Sequence, residues 1–283
     1  MLGLGLGLVR TKKQGGGGFT VDSLSEVITW LKGDTDVTET SEGSGVVARW
    51  RDQVGTTDWV SNQSGKQPSL SGTDENAALT FDGGDRLFQK EYSWNTTDDT
   101  YDFDFSHDVF DIMNRSGTGG FSCFFVINID SSLSQTTHKI LNEEHFVDDG
   151  TAGSGFTART DIAGFINITT KGDFVGILGD NTNKTAFNSG TSAGNEISLD
   201  EKVLVCIEYA GGSGAITLRI NGANKTLNQN NTGELGTITV GTIGASSSGL
   251  KGKLYELVNC NVKLSSDNRD LVEEYLINRH NIS

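Results

Sequence analysis

Residues 79–87 read Leu-Thr-Phe-Asp-Gly-Gly-Asp-Arg-Leu, and this stretch decides the fold class of the 283-residue chain. Its first three residues alternate apolar and polar side chains, as a half-buried strand does. Asp82-Gly83-Gly84-Asp85 then supplies turn residues, because glycine tolerates positive φ and aspartate bonds the local backbone. We predict a strand that ends in a turn, with both aspartates in a structural role.

Similar runs recur along the chain and indicate many short strands. They hold four to nine residues, are rich in β-branched and aromatic side chains, and are bounded by glycine or asparagine. The chain has 37 glycines and one proline, so its reversals depend on Gly, Asn, Asp, Ser and Thr. This pattern predicts a sandwich or jelly roll in one domain. The clearest runs are 45–50, 78–81, 121–129, 203–209, 215–222 and 252–258.

One segment near the C terminus is typical of a helix. Ser265 or Ser266 can cap it, and aspartates occupy its first turn. We expect its apolar face to comprise Leu271, Tyr275, Ile277 and Ile282.

Charge and hydropathy exclude several classes of partner. With 22 basic and 37 acidic residues the formal charge is −15, which repels nucleic acid and anionic membranes. No stretch approaches the roughly 20 apolar residues of a membrane-spanning helix. The basic residues near the N terminus follow the apolar start, unlike those of a secretory signal. Cys123, Cys206 and Cys260 lie in apolar runs, which favours buried thiols in a reducing cytosol.

Residues 1–18 differ from the rest of the chain and are predicted to form an extended docking arm. Leucine and glycine alternate, so an extended backbone places every leucine on one face. Gly15 to Gly18 then form a flexible linker. Three basic residues and no acidic one give the arm +3 of the total −15, leaving −18 on residues 19–283. A sister subunit is therefore a plausible electrostatic partner. The residues expected to dock are Leu2, Leu4, Leu6, Leu8, Arg10, Lys12 and Lys13.

Four parts of the chain resemble the concanavalin A-like lectin and laminin-G-like jelly-roll domains. Residues 46–55, continued by 66–70, are similar to the family's W-x-D run and later Q-P, and residues 79–87 to its F-D-G-x-D-x-L signature. Residues 243–257 resemble its I-G and G-x-I-A-E pattern, and residues 269–282 resemble its closing helix. The resemblance implies an all-β, concanavalin A-like jelly-roll β-sandwich over residues 19–283, with an extended N-terminal arm and a short C-terminal helix.

The start Met-Leu-Gly-Leu-Gly-Leu also resembles the starts of some virion proteins of bacteriophages, particularly marine ones. This resemblance implies a non-enzymatic virion structural protein that decorates the head surface or belongs to a tail appendage. Its partners would be sister subunits and other virion proteins. It would be assembled in the host cytoplasm and displayed on the outer surface of the particle.

The sequence offers little for catalysis. A retaining glucanase on this fold needs two glutamates on one strand, about 5 Å apart, and no such pair occurs. Glu208 and Glu256 stand singly on predicted strands, where we expect them to face solvent. The four histidines have no paired metal-ligand spacing. A polysaccharide-cleaving enzyme is therefore the weaker alternative.

A carbohydrate-binding adhesion module that recognises host surface polysaccharide is the stronger alternative. Sugar recognition needs exposed aromatic rings beside amides and carboxylates. Tyr92, Trp94 and Tyr101 are candidates, and Trp59 beside Asn62 is another. Each ring also fits a core or loop-anchoring role.

Asp98, Asp99, Asp102 and Asp104 form an acidic cluster interleaved with aromatic residues. Calcium takes six to eight oxygen ligands of this kind. The spacing does not match an EF-hand loop, and a solvated loop anchored by its aromatic residues fits equally. Calcium is the one candidate cofactor; no other cofactor and no transition metal is expected.

Overall fold

The structure is a computed structural model of the full chain. It describes residues 19–55, 57–61, 64–91, 93–95, 100–102, 120–132, 137–142, 144–146, 156–158, 162–169, 174–180, 184–189, 197–212, 215–231, 242–245 and 249–283.

The described chain is built of short strands, two single turns of 3₁₀ helix at Val21–Ser23 and Asp74–Asn76, and one α-helix, α1, at Ser266–His280. The strands are β1 Val27–Lys32, β2 Val37–Glu39, β3 Val47–Arg51, β4 Thr57–Val60, β5 Ser69–Ser71, β6 Ala78–Asp82, β7 Arg86–Glu91, β8 Ser93–Asn95, β9 Thr100–Asp102, β10 Phe121–Ile129, β11 Thr137–Asn142, β12 Glu144–Phe146, β13 Phe156–Ala158, β14 Ile162–Thr169, β15 Phe174–Asp180, β16 Lys184–Asn188, β17 Val203–Tyr209, β18 Ile216–Ile220, β19 Ala223–Lys225, β20 Asn228–Asn231, β21 Thr242–Gly244 and β22 Lys251–Cys260.

Two antiparallel sheets make up the body. The first sheet has the order β19-β18-β17-β10-β22-β6-β5, and β1 also pairs with β22. The second sheet has the order β2-β3-β4-β7-β21-β11-β14-β15-β16-β20. Two separate hairpins are formed by β8 with β9 and by β12 with β13. Some neighbours come from distant parts of the sequence, such as β6 and β22 in the first sheet and β7 and β21 in the second, as in a jelly roll.

The main core lies between the two sheets. In β10, Phe121, Phe125 and Ile129 belong to this core, while alternate residues such as Phe124 face the other side of the sheet. The second sheet contributes large side chains, including the fully buried Trp50. The predicted all-β jelly-roll sandwich with a C-terminal helix is thus confirmed.

Helix α1 packs on the outer face of the first sheet, where it forms a second apolar cluster. Ser265 caps the helix, its Oγ accepting a hydrogen bond from the backbone N–H of Asn268 at 3.2 Å. The predicted apolar face was partly wrong, because Leu271 is 41% exposed. The buried face is centred on Val272 and Leu276, and it also contains two polar residues, Glu273 and His280.

Strand β22 divides the outer face of the first sheet into two halves. Its residues 256–260 pair with β1, and this half lies in the apolar cluster under α1. Its residues 251–254 pair with β6 instead. In this second half the outward side chains are polar, and they line an open cleft. The sheet therefore has one helix-covered half and one open half.

Position 244 of the Ile243-Gly244 motif requires glycine for a steric reason. Gly244 has φ +79°, and a Cβ atom there would overlap the carbonyl oxygen of Asp85. The motif thus lets β21 approach the Asp82–Asp85 turn, which links two of the stretches that carry the family resemblance.

The three cysteines are free and buried, as predicted. Burial raises the pKa of each thiol, to about 12 for Cys260. The docking arm, residues 1–18, lies outside the described residues. In the part of the chain that is described, no helix has the length and apolar character to cross a bilayer.

Candidate functional site

A row of polar side chains crosses the open half of the first sheet. Ser69 of β5 pairs with Thr80 of β6, Thr80 with Lys253 of β22, and Lys253 with Asn128 of β10. The residues flanking these positions in β6 and β10 belong to the inner core, so the row itself points outward. We call Ser69, Thr80, Lys253 and Asn128 the polar row; Lys202, which precedes β17, lines a different cavity.

The polar row forms the floor of a cleft of about 630 Å³. Its rim comes from three turns. Asp82 ends β6 and Asp85 follows it, Asp130 follows β10, and Asp200 precedes β17. The cleft thus combines hydroxyl, amide, ammonium and carboxylate groups, which are the hydrogen-bonding partners that sugar hydroxyls require.

The rim carboxylates also stabilise their own turns. Asp82 Oδ1 accepts a hydrogen bond from Gly84 N at 2.8 Å, and Asp85 Oδ2 accepts one from Asp82 N at 2.8 Å. The structural role predicted for the Asp82–Asp85 turn is therefore confirmed. Burial is the main reason why the pKa of Asp85 is raised to about 6; the hydrogen bond from Asp82 N lowers this pKa, whereas the carboxylate of Asp82 raises it.

Asp130 and Asp200 act in the same way at the other side of the cleft. Asp130 Oδ1 accepts from Ser132 N at 2.7 Å, and Asp200 Oδ1 accepts from Ser131 N at 2.9 Å. Hydrogen bonds from Ser132 lower the pKa of Asp130. Lys251 Nζ donates to Ser132 Oγ at 2.8 Å, which fixes this side of the rim.

The expectation that Glu208 and Glu256 face solvent was wrong. Their exposed fractions are 0% and 1%, and both lie beneath α1. Glu208 lies 3.6 Å from Arg269, and its Oε1 accepts a hydrogen bond from Ser122 Oγ at 3.2 Å. Arg219 forms a similar pair with Glu273 at 2.8 Å. A carboxylate on the outward face is buried here because the helix brings a basic partner to it.

Glu256 is the most heavily bonded of these carboxylates. Its Oε1 accepts from Trp30 Nε1 at 2.6 Å, and its Oε2 contacts Arg279 Nε at 3.0 Å and His280 Nε2 at 2.8 Å. Arg279 also bonds Asp34. The described carboxylates beneath α1 therefore join the helix to the sheet and do not face a cleft as a glycosidase pair would.

The structure places the predicted glycan residues unevenly. Trp94 and Tyr101 stand opposite each other in the hairpin of β8 and β9, so the backbone register brings these two together. Tyr92 lies outside the described residues. Trp59 is fully buried in the main core, so its assignment as a sugar-stacking residue was wrong. Its neighbour Asn62 is also outside the described residues.

The candidate calcium ligands fall largely outside the described residues. Asp98, Asp99 and Asp104 are among those, whereas Asp102 ends β9, opposite Ser93. Within the described ranges no group of three or more His, Cys, Asp or Glu residues is placed to hold a metal ion.

Comparisons with known proteins show a shared fold. No family model and no curated protein matches the chain. Its structure is similar to a crystal structure of the receptor-binding domain of botulinum neurotoxin D, with a TM-score of 0.53 and 14% identity; the match covers 89% of this chain and 53% of that one. It is also similar to Trypanosoma rangeli sialidase in complex with 2,3-difluorosialic acid, with a TM-score of 0.51 and 14% identity, over 90% of this chain and 33% of that one. The chain thus spans about half of the toxin chain and a third of the sialidase chain. At such identity these matches establish the fold alone, which is the all-β jelly-roll sandwich.

Proposed function

We propose that this protein is a non-enzymatic carbohydrate-binding domain that contacts a glycan through the cleft over the polar row. The observation that supports this proposal most directly is the open half of the first sheet. There an outward row of four polar side chains stays uncovered, while α1 seals the other half. A cleft of about 630 Å³ lies in the size range of small-molecule sites and accommodates a short stretch of sugar rings.

The rim carboxylates support binding over hydrolysis. A glycosidase needs two carboxyl groups on either side of the scissile bond, one of them a general acid. Asp85 has the raised pKa of such an acid, but it is only 6% exposed and is bonded to its own turn. Asp82 lies in the same turn, and Asp130 and Asp200 across the cleft accept hydrogen bonds from backbone N–H groups there. This arrangement suits ligand recognition.

The wider role that we propose is that of a virion component of a bacteriophage. The arm of residues 1–18 would attach the domain to sister subunits or other virion proteins, with its leucines in apolar grooves or its backbone added to an open sheet edge. The domain would be assembled in the host cytoplasm and displayed on the outer surface of the head or on a tail appendage, without binding nucleic acid or membrane. Its support is the Leu/Gly alternation and the opposite charges of arm and body.

The glycan proposal is tested on an array of neutral, carboxylated and sulfated oligosaccharides, with and without calcium. Full-length protein is compared with Ser69→Trp, which fills the cleft from an exposed position, and with Thr38→Trp on the exposed side of β2 as the matched control. We expect Ser69→Trp to lose binding and Thr38→Trp to keep it. If the unmodified protein retains no glycan on the array, the proposal is overturned.

The hairpin that carries Trp94 and Tyr101 provides the competing site. If the Trp94→Ala, Tyr101→Ala double variant loses all retained glycans while Ser69→Trp binds normally, the site lies at the hairpin and not over the polar row. The opposite pattern supports the cleft.

The arm proposal has its own test. Leu2, Leu4, Leu6 and Leu8 are replaced together by serine in the full-length chain, and mass-resolved size analysis follows. We expect the variant to lose self-association while keeping the melting temperature of its body. Self-association equal to that of the unmodified chain contradicts the arm's role among sister subunits.

A further inference from the structure

A groove on the outer side of helix α1 lies where the described chain begins. It has a volume of about 520 Å³ and is lined by Phe19 and by five residues of α1, Leu271, Glu274, Tyr275, Asn278 and Arg279. The ring of Phe19 packs edge to face against Tyr275, with 6.2 Å between the ring centroids. The proposed docking arm, residues 1–18, therefore joins the body at the wall of this groove. We call it the helix groove.

The helix groove exposes apolar surface. Leu271 is 41% exposed, and within the described ranges the one other large apolar side chain that is exposed is Val262. Phe19 and Tyr275 are only partly buried against the apolar cluster beneath α1. Leu271 and Tyr275 are four residues apart and so are neighbours on the helix surface. An apolar side chain laid on this pair would remove its surface from water, and the hydrophobic effect favours that contact.

The same side of α1 is acidic. Asp267, Asp270 and Glu274 are exposed, and their spacing of three and four residues places them on one side of the helix. Asp270 is paired with Arg269 at 2.9 Å, whereas no described basic residue pairs with Asp267 or Glu274. The arm carries three basic residues and no acidic one. Arm and groove thus match in charge as well as in apolar surface.

The lengths of the arm and the helix also agree. Leu8 follows Leu2 by six residues, so in an extended arm the four leucines span about 20 Å. Helix α1 has 15 residues and is therefore about 22 Å long. Phe19 follows Leu8 by eleven residues, which reach up to about 36 Å when extended. This reach is enough to carry the leucines onto the helix of a neighbouring molecule.

We propose that the helix groove binds the arm of a second copy of this chain. The leucines of that arm lie on Leu271 and Tyr275, and its basic residues lie beside Asp267 and Glu274. This inference rests on the proposed role of the arm and names the surface that the arm fits. Each arm leaves its body beside the groove, so two copies that face each other across α1 exchange arms reciprocally. The acidic sides of the two helices repel each other, and the arms between them supply the opposite charge.

The proposal is tested by disulfide cross-linking between two variants of the full-length chain. One variant carries Leu4→Cys, or the same change at one of the other three arm leucines, and the second carries Leu271→Cys. The two are mixed under mild oxidation; the three native thiols are buried and do not compete. We expect a cross-linked dimer that contains one copy of each variant.

Val262→Cys replaces Leu271→Cys in the matched control. Val262 has a similar exposed fraction, 38%, but does not line the helix groove. We expect at least about tenfold less mixed dimer from the control, because a disulfide forms only where the two Cα atoms come within about 7 Å.

A second measurement follows self-association of the full-length chain by mass-resolved size analysis over a range of concentrations. Leu271→Lys removes an apolar contact and places a positive charge against the basic arm, so we expect it to weaken self-association about tenfold or more. Val262→Lys should leave it within about twofold, since it lies outside the groove. Both positions are exposed, so both variants should keep the melting temperature of the body.

The possible failures of this inference are distinguishable. If the serine variant of the arm loses self-association while Leu271→Lys keeps it, or if no mixed cross-link forms from any arm leucine, the arm binds another surface and its proposed role stands. A cross-link that forms only within one molecule, when Leu4→Cys and Leu271→Cys are combined in the same chain, shows that the arm covers its own helix. If the unmodified chain does not self-associate, the proposed role of the arm among sister subunits fails as well.

Discussion

His280 Nε2 lies 2.8 Å from Glu256 Oε2, while Nδ1 of the same ring lies 3.1 Å from the backbone carbonyl oxygen of Glu75. A carbonyl only accepts, so Nδ1 must carry a proton. Glu256 also receives hydrogen bonds from Trp30 and Arg279. The His280 ring therefore links the helix to the Glu256 side chain of the sheet and to the backbone of the 3₁₀ turn at Asp74–Asn76.

Removal of the Glu256 carboxylate should strongly destabilise the fold. Glu256→Ala removes the acceptor of the Arg279 guanidinium and of the Trp30 indole N–H, and it removes the side-chain partner of His280 Nε2. We expect a loss of about 3–5 kcal/mol in the free energy of unfolding, measured by urea denaturation. Glu274→Ala, on the exposed side of the same helix, should change it by less than about 0.5 kcal/mol. A Glu256→Ala loss as small as that of the control would contradict this account.

Asp85 should give the stability curve a specific pH dependence. Its pKa is raised to about 6 in the folded protein, from an ordinary value of 3.8. Between these values the folded state holds a proton that the unfolded chain has released, so the free energy of unfolding falls as pH rises from about 4 to 6. The fall reaches at most about 3 kcal/mol. Asp85→Asn stays neutral and keeps an acceptor for Asp82 N, so its profile should be flatter in this window. Asp22→Asn, at the surface, is the control and should keep the slope of the unmodified protein. An Asp85→Asn profile with that same slope would refute the assignment of the pH dependence to Asp85.

Two glycine substitutions separate backbone strain from a steric clash. Gly43 and Gly244 have nearly the same φ, +74° and +79°, but only at Gly244 would a Cβ atom overlap the Asp85 carbonyl. We expect Gly43→Ala to cost about 1–2 kcal/mol from its backbone conformation. Gly244→Ala should cost about 2 kcal/mol more, because β21 and the Asp82–Asp85 turn must separate. Equal losses in urea denaturation would argue against the close approach at Gly244.

The three thiols should be unreactive in the native protein. Cys123, Cys206 and Cys260 are buried, and their raised pKa values keep them protonated at pH 8. We expect no rapid reaction with a thiol-specific disulfide reagent in buffer and three equivalents in urea. Rapid native labelling would show that at least one thiol reaches solvent.

The strands and the turn could be predicted because their signals are local. Residues 121–129 and 203–209 alternate or run apolar between turn residues, and they form β10 and β17 with the predicted bounds. The turn aspartates bond backbone groups within three residues of themselves. Such contacts can be read from a single stretch of sequence.

The polar row and the buried carboxylates could not be predicted, because they depend on register between distant strands. Asn128 meets Lys253, and Lys253 meets Thr80, only after β10, β22 and β6 are aligned. In the same way, Glu256 on an outward face resembles a surface residue until α1 places Arg279 and His280 over it. The sequence offered one signal for the polar row, which is that Lys251 and Lys253 alternate with residues that face the core. This alternation does not reveal which residues of the neighbouring strands lie beside them.

The pairing of β22 with three strands has a consequence for synthesis of the protein. β22 spans Lys251–Cys260, yet it pairs with β1, β6 and β10, which are made much earlier. On the ribosome these three strands have exposed hydrogen-bonding edges until residue 260 has left the exit tunnel. Folding of the first sheet is therefore delayed until β22 has been made, late in translation.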